Sequence, residues 1–413
     1  MRFRNNRDIR TTHIKSNRMS VIDKVNNLFV LGFLLLTMAA CSGSDDDPVT
    51  PNPPGESEIL FGADLSYVNH IEDKGGVYQI EGSPADPYEI FQQKGTDIIR
   101  LRLWHNPQWT KEVYGESGTQ LYNDLADVER SIRRAKQEGM DVLLDFHYSD
   151  IWADPGQQKV PTAWEGVKQI TDLEDSVYNY TLKTLQYLEG KGLLPEYVQI
   201  GNEINCGMFF TDAPPGFPQS NACNGQWSNL GKIINAGINA VREVASTSSV
   251  NTKVILHVAD PKNVEWWFTN IKSQGGVSDF DIVAFSYYPL WHTTVSLNAI
   301  SENISRFKST FKKDIWIAET AYPWTTEAKD SYNNQFGSEP ALAGFPKTKK
   351  GQHDFLVALT KEVEDGGGQA LIYWEPAWIS VPMKDLWGTG SSWENCAFFD
   401  FDGNALEAFD YMK

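Results

Sequence analysis

Two glutamates each stand at the end of an apolar, β-branched segment. At the edge of a folded sheet, their carboxyl groups would be presented to a substrate. Glu203 ends the segment Val-Gln-Ile-Gly-Asn-Glu, and Glu319 ends Ile-Trp-Ile-Ala-Glu. Such a pair can cleave a glycosidic bond, because one carboxylic acid protonates the leaving oxygen while the other carboxylate acts on the opposite ring face. At a separation of about 5 to 5.5 Å the second carboxylate attacks the anomeric carbon directly and configuration is retained. Either glutamate alone could instead be half of an arginine salt bridge.

The two roles demand different protonation states. The negative charge of Glu319 nearby would raise the pKa of Glu203, as like charges do, so Glu203 would keep its proton. We expect Asn202 to donate to the sugar 2-hydroxyl, where hydrogen bonding strengthens in the transition state. Adjacent side chains of a regular strand point to opposite faces, so Asn202 and Glu203 can serve together only if the strand end is bulged or twisted.

The elements that would position these groups form a repeated pattern of strands and helices. Apolar runs of strand length occur at residues 59–65, 97–104, 141–147, 197–203, 253–258, 280–287, 314–319 and 369–374. Amphipathic stretches separate them, at 124–138, 173–189 and 227–244 among others. This alternation predicts an α/β fold, a single (β/α)8 TIM barrel with its active site at the C-terminal ends of the strands, although a doubly wound open sheet uses similar units.

Polar or aromatic residues at the strand ends favour the barrel. Barrel enzymes collect their chemistry at the C-terminal rim, whereas an open sheet would show such residues mainly near one switch point. The residues concerned are Asp64, Arg102, Trp104, His147, Asn202, Glu203, His257, Tyr287, Glu319 and Trp374. No Gly-rich phosphate loop follows any of the runs, so a nucleotide cofactor is not indicated and we expect none to be required.

Composition narrows the class of partner. The 413 residues carry 36 basic and 54 acidic side chains, a formal charge of -18, which would repel nucleic acid and anionic headgroups. A neutral polysaccharide is not repelled, and its sugar faces stack on aromatic rings, of which the chain has 14 Trp and 16 Tyr. We therefore expect a glycan as the partner and a monomeric protein.

The first residues are typical of a targeting segment. Basic residues precede a short apolar run, and Thr-Met-Ala-Ala-Cys at 37–41 resembles the lipobox of bacterial lipoproteins. We expect residues 1–40 to be a signal peptide, Cys41 to be lipidated, 41–57 to be an acidic, Pro-rich linker and 58–413 to be the catalytic barrel. The acidic run after Cys41 points to the outer face of a Gram-negative outer membrane, with membrane contact only through the anchor; a buried helix and a plain solvated linker are the alternatives.

Three cysteines remain when Cys41 is set aside. Cys206 and Cys223 bracket a Pro-rich loop, and an oxidising compartment would permit a disulfide there. Because three is an odd number, at least one cysteine stays unpaired, and the absence of any disulfide is equally open.

Longer motifs carry a resemblance to known enzymes. The pairing of carboxylates on strands four and seven resembles the large clan of retaining barrel glycosidases that includes cellulases, mannanases and β-galactosidases. The segment 145–164, Asp-Phe-His-Tyr-Ser-Asp-Ile-Trp-Ala-Asp-Pro-Gly-Gln-Gln-Lys-Val-Pro-Thr-Ala-Trp, resembles the signature of glycoside hydrolase family 53, the endo-β-1,4-galactanases. Further matches are Phe-Gly-Ala-Asp-Leu-Ser (61–66), Arg-Leu-Arg-Leu-Trp-His-Asn-Pro (100–107), Gly-Asn-Glu-Ile-Asn (201–205) and Tyr-Trp-Glu-Pro-Ala-Trp (373–378).

The resemblance implies endo-acting, retaining hydrolysis of β-1,4-galactosidic bonds in galactan or type I arabinogalactan. It makes Glu203 the acid/base and Glu319 the nucleophile, with Arg102 beneath the nucleophile and Tyr287 hydrogen-bonded to it. Trp374 would form the floor of the -1 subsite, followed by a cis peptide bond to Glu375. The other residues expected to bind substrate or to orient the glutamates are Asp64, Trp104, His147, Asp150, Trp152, Asp154, Pro155, Gly156, Gln157, Asn202, His257, Trp378 and Trp387.

Three points stay open. Bacterial relatives can bind a structural calcium after strand seven, and Asp330 and Asn334 keep that ion under consideration although the local pattern departs from alternating Asp residues. A different enzyme of the same clan, such as a mannanase or β-glucanase, would use the same scaffold. A glycan-binding lipoprotein with a disabled barrel is the alternative from another class, but it should lack a catalytic carboxylate, and both are present.

Overall fold

The computed structural model describes residues 59–413, which form a closed barrel of eight parallel strands. Each strand pairs with the next along the chain, and the last closes on the first, with Leu60 opposite Ala370. This closure confirms the (β/α)8 prediction and excludes the open sheet. The strands are β1 (Leu60–Asp64), β2 (Ile98–Leu103), β3 (Asp141–Phe146), β4 (Tyr197–Ile200), β5 (Lys253–Ala259), β6 (Ile282–Ser286), β7 (Asp314–Glu319) and β8 (Ala370–Tyr373).

Helices surround the barrel, and the three amphipathic stretches predicted from the sequence are all helical. The helices are α1 (Val68–Asp73), α2 (Pro87–Gln93), α3 (Trp109–Glu112), α4 (Leu125–Gln137), α5 (Ile170–Glu189), α6 (Trp227–Ala245), α7 (Val264–Ser273), α8 (Ile300–Phe311) and α9 (Lys349–Asp365). The carboxylate of Asp124 starts α4 by accepting the N–H of Asp127 at 3.0 Å. A short antiparallel pair, Gln79–Ile80 with Ser83–Pro84, lies outside the barrel.

The strand alternation sorts side chains between the barrel interior and the helix layer. On β2, Ile98 belongs to the apolar cluster inside the barrel, and Ile99 and Leu101 belong to the larger core beneath the helices. Arg100 and Arg102 therefore share the inner face with Ile98, nearer the C-terminal rim. The interior is thus apolar at its base and polar towards the rim, as catalysis at that rim requires.

A disulfide joins Cys206 and Cys223, and Cys396 is buried as a free thiol. Within residues 59–413, none of the helices combines the length and the apolar composition that crossing a bilayer requires. The signal peptide, Cys41 and the linker predicted for residues 1–57 lie outside the described residues.

Candidate active site

A cleft of about 580 Å³ opens at the C-terminal rim of the barrel and contains both glutamates. Six Trp and two Tyr side chains are among its lining residues and offer surfaces for sugar rings. The lining residues are Trp152, Ala153, Asp154, Pro155, Gln157, Asn202, Glu203, Ala259, Tyr288, Trp291, His292, Glu319, Tyr332, Asn333, Gln335, Trp374, Trp378, Asp385, Trp387, Ser392 and Trp393.

The carboxyl groups of Glu203 and Glu319 face each other across one serine hydroxyl. Ser286 Oγ lies 2.5 Å from Glu203 Oε1 and 3.5 Å from Glu319 Oε2. These two carboxyl oxygens therefore lie no farther apart than the sum of the two lengths, 6.0 Å. Both residues are buried, with 9% of Glu203 and 4% of Glu319 exposed, so their charges interact in a poorly hydrated site.

Departures from regular strand geometry bring the pair together. Strand β4 stops at Ile200, Gly201 has φ 79° and Glu203 has φ 46°, so the chain turns sharply just where Asn202 and Glu203 occur. A register shift between β6 and β7 places Ser286 opposite Glu319. Asn202 and Glu203 both line the cleft, which confirms the expected distortion of the strand end.

The cation beside the nucleophile candidate is Arg100, and the prediction of Arg102 at that position is wrong. Arg100 Nη1 lies 2.8 Å from Glu319 Oε1, and Arg102 Nη1 donates to Glu375 Oε1 at 2.6 Å. Both guanidinium groups point into the barrel, but Arg102 lies closer to the rim and meets Glu375, the second residue after β8. Arg102 is packed between the rings of Tyr67 and Trp152, at 4.1 and 4.2 Å from their centroids.

The tyrosine that bonds Glu319 is Tyr288, so the prediction of Tyr287 is also wrong. The hydroxyl of Tyr288 donates to Glu319 Oε2 at 2.8 Å. Because Ser286 points into the barrel, Tyr287 points outward into the helix layer and Tyr288 points inward again. The alternation along β6, applied strictly, would have selected Tyr288 from the sequence.

Burial and neighbouring charges set the protonation of the two glutamates differently. Burial and then the charge of Glu319 hold the pKa of Glu203 well above its ordinary value, and the hydrogen bond from Ser286 offsets this only in part. Burial raises the pKa of Glu319 to about 7, against the lowering effects of Arg100 and the Tyr288 hydroxyl. The site therefore favours a proton on Glu203 and a negative charge on Glu319.

Several predicted substrate-binding residues lie beneath the cleft and support the residues that line it. Arg100 Nη1 donates to Asp64 at 3.1 Å, and Arg100 Nη2 donates to Asn202 Oδ1 at 2.8 Å. His147 Nδ1 accepts from the indole N–H of Trp104 and the amide of Ala153, each at 3.2 Å. Five of the predicted residues are fully or almost fully buried and do not line the cleft, so they support the residues that do, which for the two histidines is one of the two roles expected: Asp64, Arg102, Trp104, His147 and His257.

Asp150 holds two loops together through its carboxylate. Its carboxylate accepts the backbone N–H groups of Asn106 at 3.0 Å and Thr162 at 2.8 Å, and the residue does not line the cleft.

The loop after β3 is shaped by Asp154, whose Oδ1 accepts the N–H groups of Gly156 and Gln157 at 2.7 and 2.9 Å. Trp152, Asp154, Pro155 and Gln157 line the cleft, as do Trp374, Trp378 and Trp387. Trp387 is 58% exposed, which leaves a ring face open to a ligand. No cis peptide bond occurs within residues 59–413, so the one expected after Trp374 is absent; Glu375 instead has φ 46°.

Other cleft residues were not predicted from the sequence. Trp291 and His292 follow β6, and Tyr332, Asp385 and Trp393 belong to rim loops after β7 and β8. Aromatic residues shortly after a strand end are the signal that could have identified Trp291. The loops after β7 and β8 are long, and their sequence does not show which side chains turn inward.

The Asp330 region does not present an open set of metal ligands. Asp330 Oδ1 accepts the Tyr332 N–H at 2.7 Å, and Oδ2 accepts the Ser391 N–H at 2.9 Å and the Ser380 hydroxyl. Across residues 59–413, no group of three or more His, Cys, Asp and Glu side chains is arranged to hold a metal ion.

Comparison with known proteins agrees with this architecture. The family model described as glycosyl hydrolase family 53 matches residues 60–412. The chain belongs to glycoside hydrolase family 53. It is therefore a glycoside hydrolase, and enzymes of this family need no cofactor.

Individual relatives support the family assignment over nearly the whole barrel. An arabinogalactan endo-beta-1,4-galactanase of Cellvibrio japonicus is 41% identical over 359 residues, covering 86% of this chain and 90% of that protein. An endo-beta-1,4-galactanase of Bacillus subtilis is 31% identical and covers 86% of each chain. Among solved structures, the Ignisphaera aggregans GH53 catalytic domain has a TM-score of 0.75 at 33% identity, covering 88% of this chain and 98% of that one.

Proposed function

We propose that this family 53 enzyme cleaves β-1,4-galactosidic bonds within galactan or arabinogalactan by double displacement, with Glu203 as acid/base and Glu319 as nucleophile. The observation that carries the proposal is the pair of buried carboxyl groups that share Ser286, with one oxygen of each group within 6.0 Å of the other. Such closeness suits direct attack by the second carboxylate, for which retaining enzymes hold their carboxyl groups about 5 to 5.5 Å apart. The names of the Cellvibrio and Bacillus relatives support the substrate.

The surroundings of each carboxyl group support its role. Glu319 has the Arg100 cation and the Tyr288 hydroxyl to stabilise its charge, as a nucleophile requires. Glu203 has no such cation in contact, and burial beside Glu319 keeps its proton available for the leaving group. When the glycosyl ester forms, the charge of Glu319 disappears and Glu203 can then act as base for the attacking water.

In this mechanism Asn202 binds the 2-hydroxyl. Its Oδ1 accepts from Arg100, and Nδ2 donates to the carbonyl of Ala153 at 2.8 Å, which fixes the orientation of the amide. The second Nδ2 hydrogen remains for a sugar hydroxyl. Trp374 and the rings around it supply stacking surfaces in the cleft.

A panel of polysaccharides tests the substrate. We expect galactose oligomers to be released from β-1,4-galactan and nothing from mannan, β-glucan or β-1,3-galactan. Products from mannan or β-glucan at a similar rate would replace the substrate proposal with another enzyme of the same clan. Tight binding of galactan without any product would favour the glycan-binding protein instead.

Azide rescue tests the two roles separately. With a β-galactobioside carrying a dinitrophenyl leaving group, Glu203→Ala should still be glycosylated, because that leaving group needs no proton, and azide should give the β-galactosyl azide. Glu319→Ala should give only the α-galactosyl azide, since azide then replaces the nucleophile. Glu265→Gln, an exposed glutamate on α7, is the control and should behave as wild type. Exchange of the two azide products between the variants would reverse the assignment.

For residues 1–57 we propose a lipid anchor on Cys41 that places the enzyme at the outer face of a Gram-negative outer membrane. Support comes from the lipobox-like Thr-Met-Ala-Ala-Cys and the acidic residues that follow it. Labelled fatty acid should be incorporated into the wild-type chain and not into Cys41→Ser. Equal incorporation in both would contradict the anchor.

A further inference from the structure

Ser286 contacts three groups with one hydroxyl. Besides Glu203 and Glu319, its Oγ lies 2.9 Å from His257 Nε2. A hydroxyl has a single hydrogen to donate and two lone pairs that accept. Which group receives that hydrogen therefore depends on whether His257 Nε2 is a donor or an acceptor.

The neighbours of His257 fix its protonation. Burial and the Arg100 cation hold the pKa of His257 well below its usual range, so the ring is neutral. Its Nδ1 lies 3.0 Å from Asn202 Oδ1, which is an acceptor because Arg100 Nη2 already donates to it. Gln199 Nε2 is also near Nδ1 at 3.2 Å, but its two hydrogens have closer acceptors in Asp145 Oδ1 at 2.8 Å and Gly201 O at 3.0 Å. The hydrogen of His257 is therefore on Nδ1, and Nε2 is an acceptor.

We propose that Ser286 is a positioning residue whose hydroxyl turns between His257 and Glu203 and so couples both to the proton of the acid/base. The inference rests on the roles proposed above for the two glutamates. While Glu203 is protonated, its Oε1 donates to Ser286 Oγ and the serine hydrogen points to His257 Nε2. Once Glu203 is charged, the hydroxyl rotates about its Cβ–Oγ bond and donates to Oε1.

The rotation matches the proton movements of the reaction. When substrate is bound, the O–H group of Glu203 turns from Ser286 Oγ to the leaving oxygen. In the first step that O–H bond breaks, and a new O–H bond forms on the leaving oxygen. The serine O–H bond stays intact throughout and only changes direction. The carboxylate that must accept a proton from water in the second step is thereby held by a charge-assisted hydrogen bond.

Other charged and titratable groups surround this chain of hydrogen bonds, and they are the same in each variant below. Those that face Glu203 or His257 come from β2, β3 and its following loop, β6 and β7: Arg100, Asp145, His147, Asp154, Tyr288 and Glu319. A change in the pH profile on altering Ser286 or His257 can then be attributed to the hydroxyl and its acceptor.

Two substitutions should shift the basic limb of the kcat/KM profile on galactan in opposite directions. Ser286→Ala removes the donor to the charged form of Glu203, so the limb should move to higher pH, with a plateau loss of about tenfold for one hydrogen bond. His257→Phe removes the competing acceptor and leaves the hydroxyl to Glu203, so the limb should move to lower pH. Ser286→Thr keeps the hydroxyl and should restore the wild-type position.

Movement of the basic limb in the same direction in both variants would overturn the coupling, and so would the absence of movement in both. The ring ¹⁵N shifts of His257 in the wild-type enzyme give a test that needs no variant: Nδ1 should carry the hydrogen and Nε2 should not. A hydrogen on Nε2 across the pH range would contradict the proposal even if His257→Phe fails to fold.

Failure of the catalytic roles looks different. In Glu203→Ala, the residual kcat/KM on galactan, whose leaving group needs a proton, should show no basic limb if Glu203 is the acid/base. A limb that persists there would overturn the roles and the coupling together. A limb that vanishes there but stays in place in Ser286→Ala would overturn the coupling alone.

Discussion

At the scale of single residues, the ionisation of the nucleophile candidate depends on one buried arginine. Arg100 contacts Glu319, Asp64 and Asp145 within 3.1 Å and is fully buried. Two residues along the same strand, Arg102 is equally buried, but its contacts are Glu375 at 2.6 Å, Asp64 at 3.8 Å and aromatic rings. The two arginines share a face and a side-chain length, so the sequence alone could not separate their roles.

Arg100→Met and Arg102→Met form a matched pair that separates catalytic from structural effects. Each leaves a buried carboxylate without its cation, so each should lower the free energy of unfolding by about 3 to 5 kcal/mol. Only Arg100→Met should raise the pKa of Glu319, because the adjacent cation lowers it in the wild type. A carboxylate with a higher pKa ionises at higher pH, so the acidic limb of kcat/KM should move upward in Arg100→Met and stay in place in Arg102→Met. An equal shift in both variants would contradict the assignment of Arg100.

At the scale of elements, the backbone at the strand ends determines the geometry of the site more than the strand interiors do. Each of the eight runs predicted from the sequence overlaps one strand of the barrel, because buried parallel strands are short, apolar and β-branched. The predicted run at 197–203 extends three residues too far, since β4 ends at Ile200 and Gly201 turns the chain. That turn and the register shift at Ser286 arise from pairing between distant segments, which a pattern of hydrophobic residues along one segment does not encode.

Gly201 is the residue that permits the turn before Glu203, the proposed acid/base. A Cβ there would lie 2.7 Å from the Ile204 side chain, and φ 79° strains any other residue. Gly201→Ala should therefore cost about 1 to 3 kcal/mol of unfolding free energy and reduce kcat through a displaced Glu203. Gly166→Ala, at an exposed position with nothing within 4 Å of the added Cβ, is the control and should match wild type in thermal unfolding and rate. If the two variants are equally active, the turn does not position Glu203.

The disulfide closes the loop that follows Glu203. Cys206 and Cys223 are 17 residues apart, and closing a loop of that length stabilises a protein by about 3 kcal/mol. Replacing both by Ser should lower the free energy of unfolding by that amount in chemical denaturation. A reducing agent should bring wild type down to the variant and leave the variant unchanged. A reducing agent without effect on wild type would show that the bridge does not form.

At the scale of the whole molecule, composition and fold agree with a neutral, polymeric substrate. The chain carries a formal charge of -18. Beneath the cleft, however, two buried arginines, Arg100 and Arg102, form ion pairs with buried carboxylates of the barrel interior. The predicted family and fold are confirmed over residues 60–412. Side chains from long rim loops, such as Tyr332 and Asp385, could not be predicted from the sequence, because only tertiary contacts turn them into the cleft.

The anomeric form of the first product tests the double displacement most directly. Proton NMR of a reaction on linear β-1,4-galactan, recorded before mutarotation, should show the β-anomer at the new reducing end, because two inversions at one carbon restore its configuration. An α-anomer appearing first would mean that water attacks in a single step. Glu319 would then have to activate that water, and its short separation from Glu203 would have no role in forming a covalent intermediate.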